Sequence, residues 1–270
     1  MRDFSRYLFR GREGLREYLK FIAAVFAALF FIYMVFLCVL VHDGETGQID
    51  LSMYEMIGGF AAGIGCAVVL DRLLHIAVNF GVSRTRFRKC ILPALPVFAL
   101  ITTGIITLLN MLTVLIFRQF DLELSCMGNL LTTHSYSIFR PRMLLFNIVF
   151  VFCMILFFYT LAMLYTGFKN RFNLPVGLAA ACITGFLGYI YMNQYDSLVN
   201  QFIGGIHYYM YPNELFEVIN HYAEVNAKDY WNYLVLLTAL AALWYLAIYA
   251  VFAKLIKRAE ICGKEQGGQI

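Results

Sequence analysis

Six long, strongly apolar stretches of this sequence contain no Asp, Glu, Lys or Arg: 21–41, 56–70, 90–117, 143–168, 172–195 and 230–253. A helix needs about 20 apolar residues to cross a hydrocarbon core of about 30 Å, with a workable range of roughly 17–25. Five of the stretches meet that length unaided. The second is shorter, but Ser52, Met53, Tyr54 and Glu55 lengthen it outward, and Asp71 and Arg72 stand as a boundary pair at its inner end. The pattern predicts an all-α, polytopic membrane protein with six transmembrane helices, at about 21–41, 53–72, 91–117, 143–167, 174–194 and 231–253.

Composition agrees. Only 14% of the 270 residues are charged and 61% are apolar, against about 25% charged in an ordinary soluble domain. The first stretch is too long for the apolar part of a signal peptide and no small-x-small cleavage site follows it, so it reads as an anchor helix. The seven cysteines have no CxxC spacing and form no Cys/His cluster, so they read as apolar fillers and no metal site is expected.

Basic residues set the orientation, because Lys and Arg concentrate on the cytoplasmic side. With the N-terminus inside, 17 of the 21 Lys and Arg fall on inner segments, while 11 of the 17 acidic residues fall outside. Both termini are then cytoplasmic in a multi-pass protein of the cell membrane. The formal net charge of +4 reflects this orientation, and no nucleic-acid partner is implied.

Residues 1–20 read as a cytoplasmic amphipathic helix on the inner membrane face. Phe4, Tyr7, Leu8, Leu15, Tyr18 and Leu19 form a stripe among arginines. Residues 259–270 form a cytoplasmic tail. In the second span, Gly59 and Gly63 have the small-residue spacing that lets helices approach closely in lipid. The third span opens with Pro93 and Pro96, near a helix start where proline is tolerated. It then carries Thr103, Thr107 and Asn110 on one stripe, with Thr113 close by. Lipid offers these groups no hydrogen-bond partner, so the stripe should face protein, either as interhelical bonding or as the lining of a path. The outer loop 118–142 reads as irregular. The aromatic fourth span (Phe146, Phe150, Phe152, Phe157, Phe158, Tyr159) should border lipid on much of its surface. The fifth is rich in Gly and Ala, which suits tight packing in the bundle or at a subunit interface. Segment 193–229 should form short outer helices on or dipping into the membrane, and Trp231 and Tyr233 mark the interface where the sixth span begins.

Most chemical motifs are missing. The chain has no GxxxxGK[ST], HExxH or GxSxG, so neither ATP binding by a Walker loop nor hydrolytic catalysis is expected. Ionisable residues deep in a membrane mark ion and proton paths. The span centres lack them, and Asp71, Arg72 and His75 lie at the inner end of the second span. That scarcity argues against proton or sodium coupling and fits a transporter powered from elsewhere.

The segment after the second span reads Asn79-Phe80-Gly81-Val82-Ser83-Arg84-Thr85-Arg86-Phe87-Arg88-Lys89. Gly81 can end the preceding helix, and Ser83 can cap a new short one. That helix would present Arg84 and Arg88 as a basic surface, with Phe87 as an aromatic knob for a partner's pocket or for lipid headgroups.

This phrase resembles the N-G-[VI]-S-R-[KT]-x-F sequence that follows the second helix in permease subunits of ABC type-2 exporters, especially those of Gram-positive bacteria. Phe80 departs from the Asn common before the glycine, and Thr85-Arg86 stands where Lys-Thr is usual. The motif covers about ten residues; the six spans, inner termini and basic N-terminal helix extend the likeness over nearly the whole chain. The resemblance implies a cytoplasmic coupling element within residues 79–90 that docks on a separate ATPase subunit, with Gly81, Ser83, Arg84, Arg86 and Phe87 as candidate contacts. It further implies a second permease copy or homologue, and ATP held on the partner subunit with no cofactor on this chain. Two other readings stay open: a non-transporting membrane sensor or scaffold, and a membrane-embedded enzyme. The latter would need paired acids or histidines, and His134, His207 and His221 have no catalytic spacing.

Overall fold

The computed structural model describes residues 15–42, 48–50, 52–79, 82–117, 123–125, 141–187 and 227–258. Helices dominate: α1 (Leu15–His42), α2 (Ser52–Asn79), α3 (Arg84–Phe117), α4 (Pro141–Arg171), α5 (Leu174–Leu187) and α6 (Ala227–Arg258). Four contain segments long and apolar enough to cross a membrane, Glu55–Val78, Arg84–Thr113, Asn147–Arg171 and Leu237–Lys257. Two further apolar helical stretches, Tyr18–Ile32 and Leu174–Leu187, are shorter among the described residues. Outward faces suit lipid: Val68 is 63% exposed, Leu108 63% and Leu243 65%. Apolar exposure on this scale has no place in water, so the helices are those of a membrane-embedded protein.

Helix α4 is the centre of the bundle and packs against α2, α3 and α6. Val151, Ile155, Tyr159, Ala162 and Met163 are all buried on it. This corrects the expectation that the aromatic fourth span borders lipid over much of its surface. Two of its rings face other helices: Phe158 meets Phe60 edge-on, and Phe157 packs on Trp244, whose indole Nε1–H donates to Thr160 Oγ1 at 2.9 Å.

The Gly59/Gly63 pair lies where α2 meets α4. A Cβ on Gly63 would sit 3.0 Å from Phe158 Cβ and 3.3 Å from its carbonyl oxygen, so the missing side chain sets how closely the two backbones approach. Gly177 does the same for α5, where a Cβ would fall 2.9 Å from the Tyr165 carbonyl oxygen of α4. Beyond that contact α5 is mostly exposed, with Ile183 at 61% and Phe186 at 63%; tight packing is confined to its glycine side.

Helix α1 enters the bundle through Tyr18, Ile22 and Phe26, spaced four apart and all buried. Residues 15–19 therefore continue into the first long helix. Tyr18, expected on a membrane-surface stripe, is buried among α1, α3 and α4. Its ring stacks on Phe98 with centroids 5.6 Å apart. Residues 1–14, the tail 259–270 and the outer segment 193–226 lie outside the described residues. Within the outer loop expected to be irregular, Glu123–Ser125 (β2) pairs in parallel with Gln48–Asp50 (β1), Ile49 opposite Leu124. Three-residue strands leave too short an alternation to read from sequence.

Candidate functional site

Residues 84–90 of the segment expected to couple to an ATPase form the first turns of α3. Ser83 acts as the expected cap: its carbonyl accepts from Arg86 N–H at 2.9 Å and Phe87 N–H at 3.0 Å, and its Oγ lies 3.3 Å from Arg86 N–H. The new helix is not a separate short piece. It runs unbroken from Arg84 to Phe117 with Pro93 and Pro96 inside it, so the third span starts earlier than the prolines imply.

Each internal proline removes one N–H from the helical ladder. At Pro96 the carbonyl four residues earlier, Leu92, loses its donor. Tyr245 of α6 supplies a replacement, its hydroxyl donating to Leu92 O at 2.6 Å. Tyr249, one turn on, donates to Arg88 O at 3.0 Å. The helix tolerates proline in an apolar setting because a neighbouring helix restores the lost bond.

The contacts also run the other way. Arg84 Nη1 donates to Ile256 O at 2.9 Å and Arg88 Nη1 to Ala253 O at 3.1 Å. Both carbonyls lie near the C-terminal end of α6, where the helix dipole favours cations. The start of α3 and the end of α6 are thereby joined by four side-chain-to-backbone bonds.

Phe87 corrects the expectation of an exposed aromatic knob. It is 1% exposed and belongs to the main core. The reason is periodicity: Phe87, Ile91, Ala94, Leu95 and Phe98 fall on one face of α3, and all five are buried. Ser83, Thr85, Arg86 and Lys89 make up the exposed face, while Arg84 and Arg88 are half-buried and turned toward α6. Gly81 lies outside the described residues.

The polar stripe on α3 does face protein: Thr103, Thr107, Asn110 and Thr113 are all buried. Thr103 and Thr113 bond backward along their own helix, to Ala99 O and Leu109 O at 2.8 Å each. Asn110 alone of the four bonds across helices among the described residues, its Nδ2–H donating to the carboxylate of Glu55 on α2. Glu55 is fully buried. Its position beside a charge-free stretch makes it look like a boundary residue, and the one signal in the sequence is that Asn110 also sits inside an apolar span.

Two further polar clusters emerge. The hydroxyls of Tyr18, Thr102 and Tyr159, one from each of α1, α3 and α4, bond to one another, with Thr102 Oγ1 2.9 Å from Tyr159 and 3.1 Å from Tyr18. At the end of the bundle where α3 begins, Asp71 bonds across to α4 and is not simply half of a boundary pair with Arg72. Its Oδ2 accepts from Lys169 Nζ and its Oδ1 from Asn170 Nδ2, each at 2.7 Å, and His75 Nε2 lies 4.0 Å away. Beside it is a cavity of about 390 Å³ lined by residues of α2 and α4. Comparison of the chain with protein-family models, curated proteins and solved structures finds no match.

Proposed function

We propose that this chain is the membrane-embedded permease subunit of an ATP-driven exporter, working with a separate ATPase that binds the nucleotide. In this reading the chain spans the membrane six times with both termini cytoplasmic, pairs with a second permease copy or homologue, and carries out no covalent chemistry. The observation that carries the proposal is the bracing of Arg84–Lys89. A segment resembling the exporters' coupling element opens a long helix, keeps Ser83, Thr85, Arg86 and Lys89 exposed, and is tied on its inner side to α6. A push on the exposed face would reach α3 and α6 together, because Arg84, Arg88, Tyr245 and Tyr249 link them.

The burial of Phe87 alters the contact set. The docking face becomes the hydroxyls and cations of Ser83, Thr85, Arg86 and Lys89, matched to an acidic, hydrogen-bonding surface, while Phe87 roots the segment in the bundle. The stripe Thr103–Thr107–Asn110 is closed off by burial, so as a path lining it would have to open during the cycle. The experiment is affinity capture of the tagged full chain from its native membrane in mild detergent. An ATPase carrying GxxxxGK[ST] in stoichiometric amount is the expected companion. Its absence, while a known transporter control keeps its own ATPase, would favour the sensor or scaffold reading.

A further inference from the structure

The cavity between α2 and α4 has the two-part chemistry of a lipid. Arg72, His75 and Lys169 stand around Asp71, and Val68 forms part of the apolar wall. The charge of Asp71 is already engaged, one oxygen accepting from Lys169 and the other from Asn170. Lys169 gives one of its three N–H donors to that bond, and Arg72 adds a second cation to the lining. Among the described residues that line the cleft, Arg72 and Lys169 outnumber the one carboxylate, Asp71. Its volume of about 390 Å³ is that of a small-ligand site.

An apolar track leads away from this cleft. Phe60, Ile64 and Val68 follow one another four residues apart on α2, exposed by 58%, 50% and 63%, and Arg72 is next in the same series. From Phe60 to Val68 the track extends about 12 Å along the helix axis at 1.5 Å per residue. A cationic cleft at the end of an exposed apolar helix face matches a phosphate group with an attached acyl chain.

We propose that this cleft binds the phosphate of an anionic phospholipid through Arg72, Lys169 and His75, with an acyl chain laid along Phe60, Ile64 and Val68. A zwitterionic lipid is disfavoured, since its ammonium would face the cleft's own cations while Asp71 is occupied. The site is independent of the coupling segment and stands whether or not an ATPase partner is found.

The test is native mass spectrometry of the full chain in detergent, titrated with phosphatidylglycerol, phosphatidylcholine or inorganic phosphate. The variants are Arg72→Gln/His75→Gln and, as a control for charge at the same end of the bundle, Lys254→Gln/Lys257→Gln. The expected result is preferential binding of phosphatidylglycerol that weakens about fivefold or more in the first variant and is unchanged in the second, as loss of about one cation beside an anionic lipid predicts. Inorganic phosphate should not displace the lipid. Equal weakening in both variants, or equal binding of both lipids, would overturn the proposal. Displacement by inorganic phosphate would also overturn it, marking a free-anion site instead.

Discussion

Arg84 donates from Nη1 to the Ile256 carbonyl at 2.9 Å, across 172 positions of sequence. The bond brings a cation from the start of α3 to a carbonyl near the end of α6, and Arg88 does the same at Ala253 O. Replacing Arg84 with Ala should lower stability by about 1–2 kcal/mol, since bonds to charged donors contribute more than neutral ones but this one is only partly buried. Thermal unfolding in detergent measures the loss. An unchanged midpoint would mean that the end of α6 does not depend on this contact.

Phe87 and Arg86 separate bracing from docking. Phe87→Ala removes a fully buried ring and should destabilise the fold by about 3–5 kcal/mol. Arg86 is exposed, so Arg86→Ala should leave the unfolding midpoint within about 0.5 kcal/mol of the parent. Equal midpoints for the two variants would contradict the inward placement of Phe87.

Tyr245→Phe tests the repair at Pro96. It leaves the Leu92 carbonyl without its replacement donor in an apolar setting, a cost of about 1–2 kcal/mol. Tyr249→Phe should cost less, because the Arg88 carbonyl keeps the ordinary helical bond from Leu92 N–H. The order of the two losses in a thermal scan is the readout, and the reverse order would count against the compensation.

Gly63→Ala should force α2 and α4 apart, because its Cβ would meet Phe158 Cβ at 3.0 Å and Phe158 O at 3.3 Å. The expected loss is about 1–3 kcal/mol. Phe158→Ala should not rescue it, since both contacted atoms remain. Rescue would show that the ring, and not the backbone approach, sets the spacing.

Glu55 and Asn110 give a paired prediction. Glu55→Gln keeps an oxygen acceptor for the Asn110 amide and should stay near the parent in stability. Glu55→Ala leaves that buried amide without its carboxylate partner and should cost about 1–3 kcal/mol. Unfolding in detergent distinguishes them, and equal losses would mean that the bond contributes nothing.

The helices were legible in the sequence because long charge-free stretches leave few alternatives to a membrane span. The cap at Ser83 was legible too, since its hydroxyl directly precedes the helix it caps. Phe87 was not, for a local reason: flanked by Arg84, Arg86, Arg88 and Lys89, it reads as surface until α3 is known to begin at Arg84, when it joins the face of Ile91 and Phe98. Tyr18 and Tyr159 were hidden because their partners stand on other helices, and nothing local marks a hydroxyl that will meet Thr102. Glu55 and Asp71 were visible as charges, but their bonds to Asn110 and Lys169 depend on how α2 packs against α3 and α4. Local signals thus predict elements and caps, while the pairings come from helix packing.

The central claim is that the exposed face of the first turns of α3 docks an ATPase. The most direct measurement is the amount of ATPase captured with the full chain carrying Arg86→Glu and Lys89→Glu, compared with the parent at equal membrane insertion and equal unfolding midpoint. The account predicts that the ATPase seen with the parent is lost or falls at least about tenfold, as reversing two interfacial cations against an acidic surface would require. Undiminished capture by the charge-reversed chain would contradict it.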